Sequence, residues 1–123
     1  MTEFTVPFHT VNTTNVREHW SKRARRAKFH RNGTWMVTRR HMGESPVIKD
    51  EIVVEMTRIS PGVLDDDNLR PALKSIRDGV ADAFGVPDND PRIKWRYSQE
   101  KGKRGHHAVR IKITAAVGIT RKP

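Results

Sequence analysis

Between Leu69 and Phe84 the apolar residues Leu69, Ala72, Leu73, Ile76, Val80, Ala83 and Phe84 recur at steps of three and four. That spacing is one face of an α-helix. On either side of it the period changes to two, the period of a strand. Ile52, Val54 and Met56 alternate with Val53, Glu55 and Thr57 before the helix, and Ile93, Trp95 and Tyr97 alternate with Arg92, Lys94 and Arg96 after it. A strand–helix–strand centre makes helices packed on a sheet the expected architecture. Gly85 and Pro87 stop the helix. Pro71 is expected in its first turn, where a missing backbone N–H costs little.

The flanking segments extend this pattern. Phe4, Val6 and Phe8 alternate with polar residues as a first strand, and Pro7 implies an edge position or an irregular end. Asn15 followed by Glu18 reads as a helix start in which each residue satisfies a free N–H of the other. Val16, Trp20, Ala24 and Ala27 then form an apolar stripe, with Trp20 expected in the core and Lys22, Arg25 and Arg26 on the opposite face. Asn32-Gly33 is the expected end of that helix. For residues 34–45 two readings stay open, continued helix or basic loop. Ser60-Pro61-Gly62 closes the strand that begins at Ile52. Val109, Ile111 and Ile113 alternate in a last strand, expected to pair with the Ile93–Tyr97 strand as an antiparallel hairpin. The expected fold is a single α+β domain over residues 1–123, ordered β-α-β-α-β-β, a small mixed sheet with two packed helices.

Charge narrows the partners. The chain has 24 Lys+Arg against 14 Asp+Glu, a net charge of +10, which favours a polyanion such as nucleic acid. Residues 15–40 carry nine bases and one acid, residues 61–90 carry seven acids and three bases, and residues 91–123 carry ten bases and one acid. An acidic centre between basic flanks suits a metal site inside a phosphate-binding surface. Lys22, Arg25, Arg26, Lys28 and Arg31 in the first flank and Lys101, Lys103 and Arg104 in the second are the candidate phosphate contacts; a solvated face is the alternative. The chain has no cysteine, which excludes disulfides and thiolate metal sites. Its first residues lack the pattern of a signal peptide, and no run of about 18 apolar residues would span a membrane. A cytosolic protein is expected.

The sharpest chemical feature is Leu64-Asp65-Asp66-Asp67-Asn68. Adjacent carboxylates repel one another and call for cations, a helix N-terminus or solvent. In an extended segment Asp65 and Asp67 point to one side and converge on one divalent ion. A helix cap with surface carboxylates is the competing reading, with Asp67 or Asn68 as the cap. Leu69 and Arg70 stand where a calcium-binding loop needs ligands and glycine, so that motif is absent. Asp88-Asn89-Asp90 reads as a turn, or as a second group of ligands. The six histidines show no zinc spacing. Trp35 has two readings, a packed side chain or a platform for an unpaired base, and Trp95 and Tyr97 read as core.

Asp65-Asp66-Asp67-Asn68-Leu69, a helix ending in Phe84-Gly85, and Asn89-Asp90-Pro91-Arg92-Ile93 together resemble the RusA-type Holliday junction resolvases, as does the basic helix after Asn12. The resemblance implies a homodimeric, Mg²⁺- or Mn²⁺-dependent endonuclease that hydrolyses phosphodiesters in branched DNA during recombination or repair. It places Asp65, Asp67 and Asp90 as metal-site acids, with Asp88 auxiliary. The family's lysine after the Asp-Asn-Leu element falls at Pro71 here; Arg70 and Lys74 are the neighbouring cations, and either could take over its phosphate or transition-state role, Arg70 being also a candidate phosphate contact. A non-catalytic nucleic-acid-binding protein is the alternative function.

Overall fold

The computed structural model describes residues 1–11, 19–44, 46–115 and 119–121. Their order is β1 (Thr2–Val6), α1 (Trp20–Met42), β2 (Pro46–Ile48), β3 (Ile52–Ser60), α2 (Asp66–Ala72), α3 (Lys74–Phe84), β4 (Ile93–Lys101), β5 (Ala108–Ala115) and β6 (Ile119–Arg121). Four strands form a mixed sheet in the order β1-β5-β3-β4, and β2 pairs with β6 in a separate ribbon. The fold is α+β, with three helices among the described residues.

The alternations decide which face of the sheet is covered. Phe4 and Val6, Ile52, Val54 and Met56, and Val109, Ile111 and Ile113 form one buried layer with Leu69, Leu73, Ile76, Val80 and Phe84 of the helices. The polar residues between them lie on the other face, where Arg110 bonds Glu100 at 2.7 Å. Two layers around one core follow from strands that are apolar on one side only.

The expected hairpin does not form. β4 pairs parallel with β3, Ile52 opposite Ile93, and β5 pairs antiparallel with the other edge of β3, Ile59 opposite Ala108. Parallel pairing needs a crossover, and α2 and α3 supply it. β3 therefore stands between the two strands. The 102–107 loop steps past its end, with the Gly102 N–H donating to the Ser60 carbonyl at 2.9 Å. Alternation marks which face a strand buries but not which neighbour it takes.

The helices depart from expectation in three places. α1 does not end at Asn32-Gly33; it runs on to Met42, so the open reading of residues 34–45 resolves largely as helix. Gly33 lets the Phe8 ring lie against it: a Cβ there would fall 2.5 Å from Phe8 Cζ, and the ring would have to turn aside. The packing of α1 on α3 and β1 outweighs the poor helix propensity of Asn and Gly. The stripe is also misassigned: Trp20 is 74% exposed and Ala24 is exposed. The buried face is His30, Thr34, Thr38 and Met42 instead. Val16 and the Asn15–Glu18 cap lie outside the described residues, and His19 caps the described helix, its ring accepting from the Ser21 N–H. Finally, the long second helix is two. Pro71 sits near the end of α2 rather than in a first turn, gives no N–H to the turn before it, and the chain re-forms as α3 after Leu73. Gly85 ends α3 in the left-handed conformation, as a C-cap does.

Candidate functional site

The acid-rich turn is fixed to the end of β4. The Leu64 N–H donates to Gln99 Oε1 at 2.8 Å, and Gln99 Nε2 donates back to the Leu64 carbonyl at 2.7 Å. On its other side Arg58 Nη1 donates to the Gly62 carbonyl at 2.8 Å. The turn then enters α2 with Asp65 as N-cap and Asp66 and Asp67 in the first turn. The helix begins earlier than expected, so Asp65 and Asp67 do not alternate along an extended segment, and the cap is neither Asp67 nor Asn68. Asp65 makes no side-chain capping bond. All three carboxylates are exposed, and no ion pair holds any of them among the described residues. The positive end of a helix favours such groups, though α2 is short.

The other acids of this region are engaged. Asp82 takes both Nε and Nη2 of Arg31, at 2.6 and 2.9 Å. Asp78 and Asp88 share the Lys74 ammonium at 2.8 and 2.7 Å. Burial works against the charge on Lys74, but these two bonds raise its pKa above the ordinary lysine value. The bond from Lys74 lowers that of Asp88. Asp90 accepts from Arg92 Nε, Nη2 and backbone N–H at 3.1, 2.9 and 2.9 Å, and these bonds lower its pKa to about 2.

The three acids implied by resemblance are not brought together within one chain. Asp90 precedes the first residue of β4, whereas Leu64 is tied to Gln99, near its far end. Gln99 is six steps along the strand from Ile93, roughly 20 Å at the rise of an extended chain. Among the described residues no three Asp, Glu or His side chains converge. Asp65, Asp66 and Asp67 have the hard oxygen donors that suit Mg²⁺ or Mn²⁺, so the donor chemistry fits a divalent ion while a three-acid centre is not assembled. Lys74 is held by Asp78 and Asp88. The nearer cation is Arg70, whose guanidinium lies 5.2 Å from the Tyr97 ring centre, beside a depression lined by Asp66, Leu69, Arg70 and Tyr97.

The basic candidates divide in the same way. Lys22, Arg25 and Lys28 on α1 and Lys101, Lys103 and Arg104 at the end of β4 and in the loop after it are exposed. Arg26 is half-buried, in a cleft it lines with Thr10, Arg23, His30 and Ser75. Arg31, also exposed, joins α1 to α3 through its ion pair with Asp82. Trp35 is half-buried, 4.9 Å under the Arg39 guanidinium, and lines an open cavity of about 350 Å³ with Pro46, Asp82 and Phe84. Trp95 and Tyr97 pack against the core from half-buried positions.

Two residues escaped the sequence reading. Arg58 and Gln99 occupy inward positions that continue the alternations of Ile52–Met56 and Ile93–Tyr97. A polar residue where the apolar period calls for a core side chain was the available signal. Both anchor the acid turn. Next to Arg58 lies a histidine group equally unforeseen: His9 stacks on His107 with centroids 3.6 Å apart, and His107 Nδ1 is 3.1 Å from Ser60 Oγ.

No family model matches the chain. An uncharacterized protein of Xylella fastidiosa (strain Temecula1 / ATCC 700964) is 30% identical over 93 residues, covering 72% of this chain. The chain spans 61% of that relative's length, and the relative's name states no activity. Among the described residues no helix is long and apolar enough to cross a membrane.

Proposed function

We propose that the chain is a metal-dependent endonuclease of the RusA resolvase type, cutting four-way junctions or other branched DNA in the cytosol as a homodimer. The observation that carries the reading is the contrast among carboxylates. In a protein of net charge +10, Asp78, Asp82, Asp88 and Asp90 each hold a cation, while Asp65, Asp66 and Asp67 stand exposed without one among the described residues. Three bare carboxylates in a basic surface are destabilising by mutual repulsion and against DNA approach unless a cation joins them.

Asp65 and Asp67 would hold Mg²⁺ or Mn²⁺, which when bound supplies a Lewis acid for phosphodiester hydrolysis. Arg70 and the exposed bases of α1 and of the loop after β4 draw the DNA backbone to the same end of the sheet. Asp90 lies too far along β4 to join Asp65 and Asp67 of its own chain. For Asp90 to serve as the third carboxylate it would have to come from the partner subunit of a homodimer, released there from Arg92.

The test is cleavage of a labelled synthetic four-way junction with Mg²⁺, beside linear duplex and an Asp67→Asn variant. Paired nicks in the junction are expected. The variant should lose on the order of a hundredfold or more in rate, with affinity for the junction kept or increased. Tight junction binding without cleavage under Mg²⁺ or Mn²⁺ would replace the nuclease by a nucleic-acid-binding module. In that case Asp65–Asp67 would be no more than a helix cap and surface acids.

A further inference from the structure

Arg58 is 6% exposed on the helix-covered face of β3. Its guanidinium donates to Thr10 Oγ1 at 3.1 Å, to the Gly62 carbonyl at 2.8 Å and to the Thr10 carbonyl at 3.4 Å. All of these are neutral oxygens, and no carboxylate reaches it among the described residues. A buried cation with no counter-charge is held at a cost, and burial accordingly lowers its pKa. Ser60 lies two residues further along β3, and its hydroxyl meets His107. His107 in turn stacks on His9, their planes 18° apart. His9 faces His107 from the 102–107 loop, Arg58 from β3 and Arg26 from α1. His30, stacked on Phe8 at 4.6 Å, faces Arg26 and His9. No acid pairs with any of these histidines among the described residues.

We propose that His9, His107, Ser60 and Arg58 form a binding site for one phosphodiester group, into which the anion enters together with a proton taken up by the histidine pair. The site deepens the nucleic-acid reading and rests on it only for the source of the phosphate. Two imidazoles stacked this closely repel when both are charged unless an anion lies beside them. Burial first, then the neighbouring charged groups, hold His9 and His30 below the ordinary histidine value, which disfavours their charged forms. A phosphate opposes the effect of those charges, though not the burial. It accepts hydrogen bonds from imidazole N–H groups at the edge of the stack, and its charge counters that of Arg58, which acts on His9 without touching the anion. Exposed Lys103 and Arg104 precede His107 in the same loop and bring a backbone phosphate to it. The acid turn begins just beyond Gly62, which Arg58 holds, so DNA seated on the histidines passes the carboxylates.

Binding of a labelled four-way junction and of linear duplex is measured against salt at about pH 5.5 and about pH 7.5. The wild-type chain is compared with the His9→Gln, His107→Gln double variant, whose folding is checked by circular dichroism. Wild-type affinity should rise about tenfold toward the lower pH and the variant's less than about threefold. The variant's log–log salt slope should be smaller by about one phosphate's worth. In parallel, inorganic phosphate is titrated into the wild-type protein while the carbon-bound imidazole protons are followed by NMR; those of His9 and His107 should shift first. DNA binding with an unchanged pH response and salt slope in the double variant overturns the site and leaves the nucleic-acid reading standing. Shifts with inorganic phosphate but no binding of either DNA would keep the anion site and remove DNA as its ligand. Neither DNA binding nor phosphate shifts would overturn both.

Discussion

A carboxylate does one of two things in this protein. Asp82 and Asp88 tie α3 and the turn after it to Arg31, Lys74 and Arg77, and Asp90 locks the start of β4 to Arg92, whose Nη1 also reaches the Ile48 carbonyl at 3.1 Å. Asp65, Asp66 and Asp67 tie nothing among the described residues. The difference sets a pH dependence. Asp90 titrates at about 2 in the fold against 3.8 ordinarily, chiefly through its bonds to Arg92. A depressed carboxyl stabilises the fold above its ordinary value and loses that contribution as pH falls through its folded one. Urea midpoints measured between about pH 4 and about pH 2 should therefore fall more steeply for the wild type than for Asp90→Asn, and the variant should be the less stable of the two at neutral pH. Parallel curves would mean that the Arg92 contact contributes nothing in solution. The types of these residues were legible in the sequence; their partners were not. Nothing in the spacing of Lys74 and Asp88, or of Arg31 and Asp82, indicates that they meet, because those contacts depend on how α1 and the crossover pack. Asp90 and Arg92 are close neighbours, and the chain turns there, with the Asp90 N–H donating to the Pro87 carbonyl at 3.1 Å.

At the scale of elements, α1 and α3 approach closely because of one residue. A Cβ at Gly79 would lie 2.5 Å from the Arg31 carbonyl oxygen and 2.7 Å from Thr34 Cβ. The first is backbone, which cannot turn aside as a flexible side chain would. Gly79→Ala should force the helices apart and destabilise the protein by about 1–3 kcal/mol, despite alanine's better helix propensity. A thermal midpoint at or above that of the wild type would show that the helices can separate at little cost. This packing also explains which elements could be read in advance. β1, β3, β4 and β5 followed their alternations, since one-sided burial leaves a period of two. α3 followed its stripe. α1 did not, because it is polar on average and its buried face includes His30, Thr34 and Thr38, residues that look polar until a neighbouring helix covers them. The three-residue strands β2 and β6 are too short to show any period, and the exposed Trp20 shows that helical spacing alone does not say what, if anything, lies opposite it.

Across the whole molecule, the carboxyl ends of β3 and β4 gather the acid turn, Arg58 and the histidine pair, with Lys103 and Arg104 in the loop that follows, while Asp90 lies at the other end of the same strands. A three-acid centre drawn from one chain would need β4 to be shorter than the nine residues it has. A centre drawn from two chains needs only a two-fold arrangement that brings the start of one β4 to the acid turn of the other, and in such an arrangement both centres form at once. The two possibilities separate in mixed dimers. In a dimer of one Asp67→Asn chain and one Asp90→Asn chain, a shared centre leaves one of the two sites with a full set of acids. Centres confined to single chains leave none. Equal amounts of the two inactive variants, unfolded and refolded together, give about half mixed dimers, so roughly a quarter of wild-type nicking should return under the shared arrangement. The products should be single nicks rather than paired cuts, because only one centre per dimer is complete. Activity no greater than that of either variant alone, with mixed dimers shown to have formed, would rule out the shared centre.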